Sequence, residues 1–215
     1  FAAARPMVGA GWPEIRRLCT VWRSNHTVVG RQDMEKTTKL LGGWGYILLI
    51  AGSVLGPLTF VFHLVGLAGI ICLLIAFYRA SKESGQSKIW RNIFVAVVLY
   101  IVASLLLIFV VGSAFMAAFH DSAVGTSAFT SGVIAGGFIA WVLWMVGAWF
   151  WYQASIPLSE STGVSLYKTG GLLIFIGAIT LIVFGLGAIV MLIGEIMQTV
   201  AFFTTTEKVP AGSPA

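Results

Sequence analysis

The chain has 215 residues, of which 58% are hydrophobic and only 10% charged. A soluble domain runs near half apolar and about a quarter charged. This composition, with a mean hydropathy of +0.94, therefore excludes an ordinary soluble protein, a disordered chain and a fibrous one. The net charge of +5 comes from 13 Lys and Arg against 8 Asp and Glu. These basic residues sit in an N-terminal leader and in short loops, which is a membrane-topology pattern and not a nucleic-acid surface.

The apolar residues form four nearly unbroken runs, 40–78, 89–119, 132–154 and 171–203. A membrane-crossing helix takes about 20 residues to cover about 30 Å of hydrocarbon. The runs fit about six crossings. They predict an all-α, polytopic transmembrane helix bundle whose first partner is the lipid bilayer.

Residues 1–33 read differently. They carry Arg5, Arg16, Arg17, Arg23 and Arg31 and lack the apolar h-region of a signal peptide. We expect a basic leader, disordered or not native, with Met34 as the natural start and 34–205 as the transmembrane domain. A second reading makes the leader an interfacial helix, because Ile15, Leu18, Cys19 and Trp22 share one face after Pro13. Residues 206–215 are expected to form a flexible tail. The two cysteines, Cys19 and Cys72, make no disulfide framework.

Run 40–78 would make a helix of about 58 Å, too long for one crossing, and Gly56-Pro57 divides it. Helix 1 is thus expected at 38–55 and helix 2 at 58–78, followed by a polar loop at 79–88. Helix 3 is expected at 89–112, with an apolar pattern that continues to Phe119. The linker 120–131 has no Lys or Arg, and Ser122, Thr126, Ser127, Thr130 and Ser131 read as an ordinary outer loop. Helix 4 is expected at 132–152, followed by a loop over 153–168. The last run, about 50 Å as a helix, breaks only at Gly185-Leu186-Gly187. That break gives helix 5 at 166–185 and helix 6 at 187–205. The alternative is five helices with one long and tilted.

With the N-terminus inside, every Lys and Arg falls in an inner segment or at an inner helix end, with Arg91 one turn into helix 3. This is the positive-inside pattern. It predicts a multi-pass protein of the cell membrane with both termini cytoplasmic. Trp149, Phe150, Trp151 and Tyr152 read as an aromatic belt at the inner end of helix 4.

Helices 1–2 and 5–6 look alike. Gly45-Tyr-Ile-Leu-Leu-Ile-Ala-Gly52 lines up with Gly170-Gly-Leu-Leu-Ile-Phe-Ile-Gly177, and Gly66-Leu-Ala-Gly-Ile-Ile71 with Gly185-Leu-Gly-Ala-Ile-Val190. Both hairpins start on the same side, so they would be parallel repeats and not inverted ones. The competing explanation is the Gly, Ile and Leu bias of any membrane helix.

Three stretches carry a family resemblance: Lys39-Leu-Leu-Gly-Gly-Trp-Gly45, Ser81-Lys-Glu-Ser-Gly-Gln-Ser-Lys-Ile-Trp-Arg-Asn92 and Gly194-Glu-Ile-Met-Gln-Thr-Val-Ala-Phe-Phe203. From about Met34 onward the chain resembles domain-of-unknown-function family nine-nine-six, uncharacterised and mainly archaeal membrane proteins. The resemblance implies a multi-pass membrane protein and supplies no activity and no site residues.

Glu195 is the most informative single residue. It falls near the middle of helix 6, where a carboxylate costs several kcal/mol unless paired, neutral or facing water. Gln198 and Thr199 follow at i+3 and i+4 on the same face. Together with His63 in helix 2 they form the candidate intramembrane polar site. Glu195 reads either as a proton or cation site or as a neutral, hydrogen-bonded structural group. His63 reads as a structural histidine or a proton relay.

Gly52 with Gly56, and Gly132 with Gly136 and Ala140, have the spacing of small-residue packing ridges. Such ridges serve core packing or a homo-oligomer face. There is no His-Glu-x-x-His, P-loop or Cys-x-x-Cys, so no enzyme, metal or cofactor is expected. Two functions remain. One is a small transporter or channel-like protein built around Glu195. The alternative is a non-catalytic scaffold or accessory subunit of a membrane complex.

Overall fold

The computed structural model describes residues 34–55, 60–119, 126–181 and 185–206. The leader 1–33, the Gly56-Pro57 turn, residues 120–125 and the tail from residue 207 lie outside them. Six helices follow in order: α1, Lys36–Leu55; α2, Phe60–Glu83; α3, Ser87–Phe119; α4, Thr126–Thr162; α5, Leu166–Thr180; and α6, Leu186–Thr204. There is no strand among the described residues. Five of the helices contain stretches long and apolar enough to cross a membrane. The exception is α5, which is apolar but has 15 residues, or about 22 Å.

Two expected loops are largely helical, and so is the described part of a third, 126–131. Helix α2 continues to Glu83, and only residues 84–86 turn before α3 begins. Helix α4 takes up Thr126, Ser127, Thr130 and Ser131, expected as outer loop, and continues past residue 152 through Pro157 to Thr162. The buried hydroxyls of its last turns need no water, because they bond back to carbonyls of their own helix. Ser155 Oγ donates to Trp151 O, and Ser161 and Thr162 both donate to Leu158 O. What ends α4 is Gly163 at φ +72°, a backbone conformation that carries little penalty only without a Cβ.

The break in the last run is of the same kind. Gly185 stands at φ +73° and opens α6. The run is therefore two helices, although α5 ends at Thr180, short of the expected residue 185.

Each helix packs on the next, and α6 returns to α1, so the six close a ring. The closest neighbours are α1–α2, α3–α4 and α5–α6, which makes three hairpins. Lipid offers no hydrophobic force between helices, so close backbone approach at small residues must hold them. In the first hairpin, a Cβ on Gly69 would stand 2.7 Å from both Gly45 O and Leu49 N. In the third, a Cβ on Gly194 would stand 2.7 Å from Gly170 O and 2.9 Å from Ile174 N.

These two crossings have one construction. Positions 45, 49 and 69 correspond to 170, 174 and 194, a constant shift of 125, and Gly52 beside Gly66 corresponds to Gly177 beside Met191. The register expected for the second helices, Gly66 on Gly185, is therefore six residues out. The glycines that touch the neighbouring backbone set the register, and glycine-rich composition alone does not. At the same shift Phe77 corresponds to Phe202. These two rings pack against each other, centroids 5.7 Å apart.

All described Lys and Arg (Lys36, Lys39, Arg79, Lys82, Lys88, Arg91 and Lys168) lie at one end of the ring. There Glu83 accepts hydrogen bonds from the Glu35 amide and the Thr38 hydroxyl, at 3.0 and 2.6 Å. The Met34 amide donates to Thr206 O at 3.0 Å. At this end α1 starts, α6 ends and α2 turns into α3.

The glycine crossings give a direct test. Gly69→Leu places side-chain atoms against α1 backbone that cannot move aside. It should cost about 1–3 kcal/mol, the usual penalty of overpacking, read as a lower thermal unfolding midpoint in detergent. A Cβ on Gly132 would meet nothing within 4 Å, so Gly132→Ala should change stability by no more than about 1 kcal/mol. Equal stability of Gly69→Leu and the parent chain would mean that α1 and α2 do not cross at these glycines.

Candidate functional site

Glu195 is the tenth of the 19 residues of α6, about 13 Å from either end. It lines a cavity of about 340 Å³ to which all six helices contribute side chains. The walls are aliphatic and aromatic. The polar atoms among them are the Glu195 carboxylate, the Ser104 hydroxyl, the Tyr46 and Tyr100 hydroxyls and the indole nitrogens of Trp144 and Trp151. Glu195 is the one charged lining residue among those described. Tyr46 and Tyr100 lie within its electrostatic reach, yet its carboxylate has no hydrogen-bond or ion-pair partner among the described residues.

One turn toward the basic end, Gln198 is fully buried and fully engaged. Its Oε1 accepts from the Tyr46 hydroxyl at 3.0 Å. Its Nε2 donates to Ser155 Oγ at 3.0 Å and to Tyr167 O at 3.2 Å. This one amide thus joins α6 to α1, α4 and α5. Nearby, Tyr167 and Thr205 share a hydroxyl–hydroxyl bond of 3.0 Å. Because Thr205 Oγ1 donates to Ala201 O, Tyr167 is the donor.

Aromatic rings pack around this node. Phe202 meets Tyr46, Phe77 and Tyr167, with centroids 6.0, 5.7 and 5.1 Å away. Trp151 meets Tyr46, Phe77 and Tyr100. Counting along the helices, Phe77, Tyr167 and Phe202 lie between the cavity and the basic end, so this layer is the cavity floor. It contains one unsatisfied donor. Trp151 Nε1 is buried without a hydrogen-bond partner among the described residues, with the Tyr46 hydroxyl facing it. Such a group costs about 1–3 kcal/mol.

The described side chains of the expected polar group do not converge on one point. Glu195 faces the cavity, Gln198 belongs to the packed node, and the Thr199 hydroxyl is used on Glu195 O at 2.8 Å. The backbone of His63 lies in α2, and its side chain is outside the described residues. Of the ridge residues that can be placed, Gly52, Gly136 and Ala140 face inward and Gly132 does not. Gly52 packs on Gly66 and Gly136 on Val110, whereas Gly132 is exposed. Ala140 is buried, and Gly56 is outside the described residues. No three of His, Cys, Asp and Glu come together among the described residues.

The expected aromatic belt splits. Trp149 is 42% exposed and packs on Phe175, whereas Trp151 is 6% exposed and sits in the core. Two positions on a helix are about 200° apart, so the pair cannot face the same way. Tyr46, Tyr100, Trp144, Ser155 and Tyr167 were not legible as site residues from their positions. For Tyr46 and Tyr100 the signal is a tyrosine well inside an apolar span, away from either interface, because a phenol there needs a partner.

Ring closure, apolar outer faces and a mid-span carboxylate together define a polytopic α-helical membrane protein. A family model described as "Protein of unknown function (DUF996)" matches residues 65–196, which contain most of the cavity and Glu195. The uncharacterized protein MJ1644 of Methanocaldococcus jannaschii is 31% identical over 170 residues, covering 79% of this chain and 92% of that protein. No solved structure matches. The chain belongs to the DUF996 family.

The node predicts a specific loss. Gln198→Leu puts at this position the residue type found at the corresponding Leu73, but leaves the Tyr46 hydroxyl without its acceptor. It should cost about 1–3 kcal/mol. Tyr46→Phe should cost less in that background than in the parent chain, since both changes remove the same bond. Strict additivity in a double-mutant cycle would disprove the bond.

Proposed function

We propose that the chain is a small, non-catalytic transporter in which Glu195 takes up a proton or a cation from the central cavity. One observation carries this reading. A carboxylate at mid-span, in a cavity able to hold roughly ten waters, has no partner among the described residues. Charged groups at such depth are costly and are kept mainly where ions or protons pass. A purely structural glutamate would be expected to resemble Gln198, with its capacity spent on neighbouring helices. The ridges that would suit an accessory subunit are engaged within the chain at Gly52 and Gly136, which favours the transporter reading over the scaffold.

The charge pattern supports an orientation in the cell membrane with the basic end cytoplasmic. Cysteines introduced at Ser122 and Gly125 should then react with an impermeant thiol reagent from outside intact cells, and one at Gly85 should not. The opposite pattern would reverse the orientation.

The functional test uses the full chain in proteoliposomes. Proton or monovalent-cation flux should be measurable for the parent protein and fall to the protein-free background in Glu195→Gln. Thermal unfolding should show that the variant stays folded, because Gln keeps the shape and hydrogen-bonding capacity. Flux unchanged by Glu195→Gln would remove the carboxylate from the mechanism.

A further inference from the structure

We infer that the cavity takes a hydrophobic organic ammonium ion, which enters from the bilayer beside α3 and is held by Glu195 against an aromatic wall. This rests on the reading of the cavity as a ligand site and adds its substrate class and entry route.

The sign of the ligand follows from the site. Glu195 is the one charged lining residue and lacks a partner among the described residues. An anion is repelled, and a neutral ligand leaves the carboxylate unpaired in an apolar cavity. A metal ion fits poorly, because hard cations replace their water with six or more oxygens. Here the oxygens are one carboxylate, the Ser104 hydroxyl and two phenols.

An organic ammonium needs less. Its charge is spread under apolar groups, and aromatic faces replace its weak hydration. The cavity supplies such a wall. Tyr46, Trp151, Tyr100 and Trp144 follow one another with centroids 6.1, 6.3 and 6.1 Å apart. The volume of about 340 Å³ is at the small end of the range for organic ligands.

The entry route comes from exposure. Two of the α3 side chains that line the cavity, Ile101 and Leu105, are 52% and 61% exposed, so the cavity reaches the outer surface at α3. Toward the basic end the aromatic floor and the Gln198 node stand in the way. There α2 and α3 are joined through the short turn, where Tyr78 packs on Trp90 at 5.2 Å. A ligand that uses this side opening must dissolve in the bilayer, which suits an ammonium ion with an apolar body. A strongly hydrated ion would be excluded.

The test compares two ligands of nearly the same shape: radiolabelled benzyltrimethylammonium and neopentylbenzene, in which a neutral carbon replaces the nitrogen. Binding is measured at equilibrium to the full chain in detergent. The parent protein should bind the cation at least about tenfold more tightly than the neutral compound, the factor expected of one partly buried charge pair with aromatic support. Glu195→Gln should remove that preference. Tyr100→Leu should weaken cation binding, while Tyr100→Phe, which keeps the ring, should retain it.

Equal binding of both ligands to the parent chain would overturn the inference, and so would full cation affinity in Glu195→Gln. The comparison in the parent chain decides the matter even if a variant fails to fold. Proton flux without cation binding would overturn this inference and leave the transporter reading standing. Cation binding without flux of any ion would do the reverse.

Discussion

Gln198 sits at a depth where water cannot serve its carbonyl oxygen and two N–H groups, so the protein has to. Its partners come from three other helices: Tyr46 on α1, Ser155 on α4 and the Tyr167 carbonyl at the start of α5. An unpaired amide in a lipid-surrounded core costs several kcal/mol. The ring must therefore close in the one arrangement that brings these four helices to the same level. Van der Waals contact at glycines permits many small slides of one helix along another. The node does not, because hydrogen bonds fail within a few tenths of an ångström. The aromatic layer around Phe77 and Phe202 then packs on a register that the node has selected.

The two glycine hairpins show where polarity was introduced. At the shift of 125 that relates their backbones, Glu195 corresponds to Ile70 and Gln198 to Leu73. Ile70 and Leu73 line the same cavity as Glu195. At these two positions the first hairpin is apolar, and the third presents a carboxylate with an anchoring amide below it. Two hairpins with the same glycine crossings thus differ by one polar pair. The cavity consequently has a single charged side, and the polar residue next to it serves to hold the floor.

Floor and opening differ in their chemistry. The floor combines hydrogen bonds with edge-to-face rings, each ring pair worth about 0.5–1.5 kcal/mol beyond burial. It joins α1, α2, α4, α5 and α6. The side at Ile101 and Leu105 is bounded by aliphatic groups exposed to the surroundings. The hydrogen-bonded aromatic packing lies toward the basic end, and the exposed aliphatic side faces outward. This polarity is what a binding site loaded from the membrane requires.

Composition and hydropathy alone determine that this is an all-helical membrane protein, because 58% apolar content in long runs has no other stable home than lipid. The mid-helix position of Glu195 was also legible, since an ionisable residue inside an apolar run stands out by contrast. So was the break at Gly185, for want of any other turn residue in a run too long for one crossing. The helix ends at Glu83 and Thr162 were not. Serine and threonine look like loop residues until their hydroxyls are seen bonded to their own helix. The separation of Glu195 from Gln198 was decided only in three dimensions: three residues apart they share a helix face, and which one meets a cavity and which one meets Tyr46, Ser155 and Tyr167 depends on the neighbouring helices. The same holds for Trp151 and Tyr100, whose place in the cavity wall follows from closure of the ring and from no local pattern.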